Sequence, residues 1–260
     1  MPEGDAVWRA ARRLHGALAG AELVGVDLRW PHLPEVELRG RTTLEVVPRG
    51  KHILHRVEGG VTIHSHLRMD GSWRTRPTAS VTPRVAAAHD IRAIVATQRT
   101  AAIGRLLGML DVVPTAEEHR LVGHVGPDLL GADWDAALAG DHLRAAPDRL
   151  LGDALLDQRN LAGLGTMWTA EACFAAGLGP WIPVGAIDDA ALAELLGHAH
   201  RLLSEAIRHT APPPLAVYRR HLCERCEGRI AAGRIGTPPQ ERSLYYCPRC
   251  QPGPSPTSTR

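Results

Sequence analysis

The sequence predicts an α+β chain of several domains: a β-rich sandwich or barrel behind an N-terminal helix, a helical region, and a small metal-binding module at the C-terminus. Three observations support this. Short β-branched segments with Gly and Pro punctuation fill the chain to about residue 114, and helical periodicity replaces them from 115 to about 214. Four of the five cysteines then form one quartet, Cys223-x2-Cys226 and Cys247-x2-Cys250, with twenty residues between the pairs.

Asp5 is placed to N-cap the first helix, whose apolar face carries Val7, Ala10, Ala11, Leu14, Ala17 and Leu18. Gly20 ends it. Strands are expected over 22–29, 42–47, 52–57, 61–66 and 90–96. Thr115-Ala116-Glu117-Glu118 has the form of a helix start, with acids in the first turn. Further helices are expected over 148–158, 166–176 and 188–209, the last with Leu192, Leu195, Leu196, Ala199, Leu202 and Leu203 on one stripe. The Ala-Pro-Pro-Pro run at 211–214 reads as a stiff linker, and the Pro/Ser/Thr-rich 252–260 as a disordered tail. The expected domains are therefore 1–114, 115–214 and 215–251, followed by that tail.

Net charge is only +2, but it is unevenly spread. Residues 1–114 carry 16 basic and 11 acidic side chains, 115–214 carry 6 and 14, and 215–251 carry 7 and 3. Two basic ends flank an acidic middle. Basic faces suit a polyanion, and ordinary solvated surface is the competing explanation. Of 30 basic residues, Lys51 is the one lysine. Arg stays protonated, whereas Lys can shift its pKa and move a proton or attack carbon. No apolar run reaches the length of a membrane span, and Met1-Pro2-Glu3-Gly4-Asp5 has neither a basic nor an apolar leader region. A cytoplasmic address is expected.

That address bears on the quartet. Two C-x-x-C pairs offer four thiolates in the tetrahedral set that zinc prefers, so one structural Zn2+ is expected on Cys223, Cys226, Cys247 and Cys250. Two disulfides are the alternative, and they need an oxidising compartment.

Pro2 becomes a secondary amine at the chain terminus once Met1 is removed. An α-amino group has a pKa of about 7.7–8.0, so a useful fraction is unprotonated at neutral pH. Such an amine attacks an aldehyde-like carbon and yields an iminium ion, with Glu3 beside it to move protons. Most N-terminal prolines are inert, so the pair alone is weak. The segment 157–174 reads as helix, glycine turn, helix. Gly163 and Gly165 permit close backbone approach, and the N–H groups at the next helix start offer an anion site that a nucleic-acid phosphate fits. A plain packing corner is the alternative. His64 and His66 share a strand face, and packing or surface polarity is expected there in place of a second metal.

Taken in order, Pro2-Glu3, Arg49-Gly50-Lys51, the helix–turn–helix around Gly163 and Gly165, and Arg242-Ser243-Leu244-Tyr245-Tyr246-Cys247-Pro248-Arg249-Cys250-Gln251 resemble the formamidopyrimidine-DNA glycosylase and endonuclease VIII family, nearer its endonuclease VIII branch. The resemblance runs from Pro2 to Gln251. It implies an N-terminal β-sandwich flanked by helices, a helix–two-turn–helix domain and a C-terminal zinc-finger β-hairpin. It implies a monomeric base-excision-repair enzyme acting on damaged DNA. The enzyme would remove oxidised bases, pyrimidines foremost, and cut the strand by β,δ-elimination. Pro2 would be the nucleophile at C1′, Glu3 the acid/base, and Lys51 and Arg242 phosphate contacts that assist catalysis. Gly165 and Thr166 would touch the DNA backbone. A flipped-out base leaves a hole that an apolar wedge must fill. Met69 would be that wedge and Arg68 would meet the orphaned base, unless Met69 belongs to the core.

Two departures stand out. Thr166 replaces the family's usual Asn, although a Thr hydroxyl can still donate or N-cap. Ala6 replaces a common second carboxylate. Val217-Tyr218-Arg219-Arg220-His221 also lacks the Gly that usually follows, which has no physical account here. Thr166 and Ala6 leave open a catalytically weak lesion-binding protein on the same scaffold; a zinc-ribbon adaptor for protein contacts is a further alternative, against which the ordered match at the N-terminus counts strongly.

Overall fold

The computed structural model describes residues 2–33, 35–209 and 213–256. Met1, the first half of the linker expected at 211–214 and the last four residues of the expected tail lie outside the described residues. The chain forms two compact units: residues 2 and 6–124, and residues 3–5 with those from 125 onward.

The first unit is a β-sandwich with a helix in its core. Helix α1 (Gly4–Leu18) precedes β1 (Leu23–Leu28), β2 (Thr43–Arg49), β3 (His52–Val57), β4 (Val61–His66) and β5 (Ser72–Pro77). A single turn, α2 (Pro83–Ala86), leads to β6 (Ile91–Thr97), β7 (Thr100–Arg105) and β8 (Met109–Pro114). One antiparallel sheet runs β1-β6-β7-β5, the other β2-β3-β4-β8. Val7, Ala11 and Leu14 of α1 pack with Leu23, Val95 and Ala102 of the first sheet and Ile53, Ile63 and Leu110 of the second. Each fully buried aliphatic side chain of this kind contributes about 1.5–3 kcal/mol. Gly20, at φ +74°, turns the chain out of α1 as expected.

Three strands were not anticipated. β7 carries Ala101, Ala102 and Gly104, which strands disfavour in isolation, and β5 ends on Pro77. Their place is set by packing: a Cβ on Gly104 would lie 2.7 Å from Leu107 Cδ1, so only glycine lets Leu107 seat there. The helix expected from Thr115 is one 3-10 turn (Thr115–Glu117) and one α turn, α3 (His119–Val122). Glu118 serves a different purpose from helix initiation. Its carboxylate accepts from Arg56 Nε and Nη2 at 2.8 and 2.7 Å and from Thr62 Oγ1 at 2.5 Å.

The second unit holds α4 (Ala136–Arg144), α5 (Leu151–Leu156), α6 (Thr166–Ala175) and α7 (Asp189–Arg208), then a hairpin of β9 (Ala231–Ile235) and β10 (Arg242–Tyr246). Asp188 caps α7 by accepting from Ala191 N at 2.8 Å. α4 was missed, although Asp135 caps it through Ala137 N and Leu138 N at 2.9 and 3.0 Å. α5 is shorter than the expected 148–158 because Leu151 N bonds Ile182 O at 2.9 Å and Asp157 leaves the helix to hold two arginines. Trp168, Leu155 and Leu195 share the helical core, while Leu244 and Tyr246 of the hairpin pack with Trp181. No helix among the described residues is long and apolar enough to cross a membrane.

Candidate active site and cysteine quartet

Glu3 is 1% exposed, although it is the third residue of the chain. Its Oε2 accepts from Gly165 N at 2.9 Å and Trp168 N at 3.1 Å, and its Oε1 from Met167 N at 2.8 Å. The carboxylate thus caps α6 and meets the positive end of its dipole. Two further links tie the segment down. Gly4 N donates to Gly163 O at 2.9 Å, and Trp168 Nε1 donates to Asp5 Oδ1 at 2.9 Å. Asp5 therefore does not N-cap α1, as the sequence had indicated; α1 starts one residue earlier, and Asp5 serves Trp168.

The glycines of the turn are fixed by this approach. A Cβ on Gly165 would lie 2.4 Å from Glu3 Cδ, and one on Gly4 would lie 2.9 Å from Gly163 Cα. Gly163 itself sits at φ +106°. The N–H groups that the sequence offered to a phosphate are in large part bonded to Glu3, because an internal anion reaches them first. Thr166 does not cap α6: the cap position is Gly165, without a side-chain bond, and Thr166 is 9% exposed.

Pro2 is half-buried and belongs to the first unit, as do Lys51, Arg68 and Met69. Lys51 forms the two-residue hairpin turn with Gly50 between paired Arg49 and His52. Gly50 supplies the φ of +57° that this turn requires. Met69 is 61% exposed in the loop between β4 and β5, which excludes the core alternative. Buried Leu67 anchors the loop through Gly71 N, which donates to Leu67 O at 3.0 Å. Arg68 holds φ +51°, and its stem lies where a Cβ on Gly108 would be, 2.4 Å from Arg68 Cγ. That contact brings in a residue sequence reasoning missed: Leu106, 45% exposed at φ +46°, on the loop that leads to Gly108. Leu106 and Leu107 are indistinguishable as letters; only the fold buries one of them.

Arg242 begins β10 in the second unit and lines a cavity of about 290 Å³ with Arg149, Asp153, Asp157 and Arg159. Asp157 accepts from Arg159 Nη2 at 2.7 Å and Arg149 Nη1 at 2.8 Å. The Arg159 and then the Arg149 guanidinium hold its carboxyl well below the usual carboxylate range. Arg159 remains largely exposed. Neither arginine was singled out from sequence.

The four quartet sulfurs lie within 4.8 Å of one another, with Cys223–Cys250 at 3.8 Å and Cys226–Cys247 at 3.5 Å. A tetrahedral S4 zinc site has sulfur–sulfur edges of about 3.8 Å from Zn–S bonds of about 2.3 Å. A disulfide needs about 2.05 Å, so the disulfide alternative falls. Cys223 and Cys247 are buried with Phe174 and Val217, which joins the quartet to α6. The residues fit a bound metal ion.

The sequence matches the Formamidopyrimidine-DNA glycosylase N-terminal domain over residues 1–103. It is 50% identical to a probable endonuclease 8 2 of Streptomyces coelicolor, over 98% of this chain and 96% of that protein. It is 41% identical to the DNA-(apurinic or apyrimidinic site) lyase Nei2 of Mycolicibacterium smegmatis, over 96% of this chain and 99% of that one. The fold matches that of the Lactococcus lactis Fpg protein, solved with DNA containing N7-benzyl-Fapy-dG, with a TM-score of 0.83 at 21% identity over 97% of this chain and all of that one. The chain belongs to the formamidopyrimidine-DNA glycosylase and endonuclease VIII family.

Proposed function

We propose that this protein is a bifunctional DNA glycosylase and AP lyase of base excision repair, with oxidised pyrimidines as its main lesions. The observation that carries this reading is the Glu3 carboxylate, buried and fixed by three N–H donors directly beside Pro2 in the chain. An acid/base group must be held in place for its proton transfer to be productive.

In this reading Met1 is removed and the Pro2 amine attacks C1′ of the damaged nucleotide. The C1′–base bond breaks and the base leaves with a proton. The C1′–O4′ bond then opens, with O4′ taking a proton, and the iminium ion so formed acidifies the 2′ hydrogen. Loss of that proton expels the 3′ phosphate, and a second elimination expels the 5′ phosphate. Glu3 assists the proton steps. Lys51, Arg242 and the turn of Gly165 and Thr166 grip phosphates beside the lesion, and Arg159 joins Arg242 on the cavity rim. Met69 fills the space left by the flipped base, with Arg68 at the opposing base. The endonuclease 8 names of the relatives support the pyrimidine weighting. One zinc ion on Cys223, Cys226, Cys247 and Cys250 would hold the hairpin that carries Arg242; its chemistry is structural. The protein acts on damaged DNA as a cytoplasmic, nucleoid-bound monomer.

Borohydride trapping tests this. The mature protein should form a covalent complex with DNA carrying an abasic site or an oxidised pyrimidine. Pro2→Gly and a protein retaining Met1 should lose it. Trapping of those two at the wild-type rate would sink the Pro2 mechanism. Lesion-preferring binding with neither trapping nor strand scission would favour the inactive lesion binder that Ala6 and Thr166 leave open.

A further inference from the structure

The sheet β2-β3-β4-β8 buries one face in the sandwich and carries an array of histidines on the other. Register sets the array: His52 stands opposite His66, and His64 opposite Asp111. Cross-strand partners and residues two apart share a face, so His52, His64, His66 and Asp111 all project together. Ile53, Ile63 and Val112, on the alternate positions, face the core. The segment after β8 brings His124 to the same cluster, its ring 6.3 Å from that of His52.

Two hydrogen bonds order the group. His64 Nδ1 lies 2.8 Å from Asp111 Oδ2, and His64 Nε2 lies 2.8 Å from His52 Nδ1. His64 is 1% exposed, while Asp111 reaches the surface. A carboxylate only accepts, so His64 donates through Nδ1. Its Nε2 then accepts, and His52 must donate through Nδ1. That leaves the His52 lone pair on Nε2, in the residue directly after Lys51. The His52 ring packs edge-on to His66 at 4.9 Å and against His64 at 5.1 Å.

We propose that Asp111, His64 and His52 form a hydrogen-bonded relay that orients a neutral His52 beside Lys51, which makes His52 a positioning residue for the lysine. This rests on the reading of Lys51 as a phosphate-gripping group. An imidazolium beside Lys51 would repel its ammonium. A neutral ring removes that repulsion and leaves Lys51 its charge for a phosphate.

The surroundings agree with this. Burial, and then the neighbouring His64, His66, His124 and Lys51, push His52 down to about 3. Burial, Lys51, His64 and Arg68 push His66 down to about 4. Burial lowers His64 against the pull of Asp111 and Glu118. The groups facing the relay are thus Lys51 in the turn before β3, His66 at the end of β4 and Arg68 in the loop after it, Asp111 on β8, and Glu118 and His124 from the segment beyond. Nothing in this set protonates the rings at neutral pH.

Ring nitrogen NMR on the full zinc-loaded chain reads the tautomers directly. His52 and His64 should both carry their proton on Nδ1 at pH 7. Asp111→Leu, at a partly exposed position, should release His64 to its other tautomer. His64→Leu should release His52, and His64→Gln should restore the chain, since an amide oxygen and nitrogen can replace the two ring nitrogens. Single-turnover cleavage of abasic DNA supplies the functional arm. His64→Leu should slow it about tenfold and His64→Gln by no more than about twofold, with no further loss when His64→Leu is added to Lys51→Gln. A wild-type His52 protonated on Nε2, or a full His64→Leu loss on top of Lys51→Gln, overturns the relay while leaving Lys51 in its role. Wild-type cleavage by Lys51→Gln would instead remove the reading of Lys51, and the relay's purpose with it.

Discussion

The Glu3 carboxylate occupies the space that a side chain at position 165 would need: Oε2 accepts from Gly165 N at 2.9 Å, and a Cβ there would lie 2.4 Å from Glu3 Cδ. Gly165→Ala should therefore expel Glu3 from the start of α6. Borohydride trapping on abasic DNA should fall at least about a hundredfold, within the range of a lost acid/base group. Stability should fall by about 1–3 kcal/mol, as for overpacking a tight site. Glu3→Gln should keep the space but set an NH2 group against N–H donors, and it should lose activity to a similar degree. An alanine variant that traps at the wild-type rate would show that the capped position of Glu3 is unrelated to catalysis.

Met69 is 61% exposed and has little packing to lose. Met69→Ala should leave the melting temperature unchanged, since exposed substitutions fall within about 0.5 kcal/mol. Base excision from duplex DNA should drop by about tenfold or more, because unstacking a base step costs a few kcal/mol that the wedge offsets. The same lesion in single-stranded DNA, with no stack to refill, should be cut at nearly the wild-type rate. Leu106→Ala tests whether the neighbouring loop shares the load. An equal loss on duplex and single strand would assign Met69 to some other step.

The quartet was legible because its chemistry is local: ligand type and spacing are written in the letters. The helix over 188–209 was legible for the same reason, since its apolar stripe is local, although Asp188 proves to be its cap and not its first helical residue. The Glu3 cap was not legible, since its partners at Gly165, Met167 and Trp168 lie more than 160 residues away. Glycine at 163 and 165 signalled close approach, but not by what, and a phosphate was the natural guess for an open helix end. β7 was hidden for another reason. Ala101 and Ala102 carry no strand preference, yet both are fully buried between neighbours. Packing placed that strand where propensity was silent.

Acid should weaken the first unit early. His55 is 5% exposed and bonded to Thr43 Oγ1 at 2.9 Å, and burial lowers it to about 4. His52 and His66 are lowered to about 3 and about 4. An unfolded histidine titrates near 6.5, so below that value the unfolded chain binds protons that the folded unit refuses. Stability should be steady above about pH 7 and fall as pH drops from about 6.5 towards 4, by up to about 1.4 kcal/mol per pH unit for each such ring. Denaturant midpoints measured across this range should show uptake of two to three protons on unfolding, about one for each ring named. His55→Asn, which can still bond Thr43, should remove about one of them. A flat profile between pH 7 and 5 would mean the rings are protonated in the folded state.

Zinc removal should separate the two ends of the molecule. Metal analysis should return one zinc per chain, because the four sulfurs converge within 4.8 Å and offer one tetrahedral site. Stripping it with a chelator removes the ion that ties the four sulfurs together and lets them take up protons beside the buried Phe174 and Val217. The hairpin should then lose its order, as small metal modules do without their ion. Arg242 at the head of β10 would lose its fixed place, and DNA affinity should fall with it. The salt slope of binding should shrink by about one unit, as Arg242→Ala alone should do. Unit one has its own core from α1 and two sheets, so its amide protection should survive chelation. Strand cleavage by the zinc-free protein at the holoenzyme rate would show that the quartet supports neither the hairpin nor the grip on DNA.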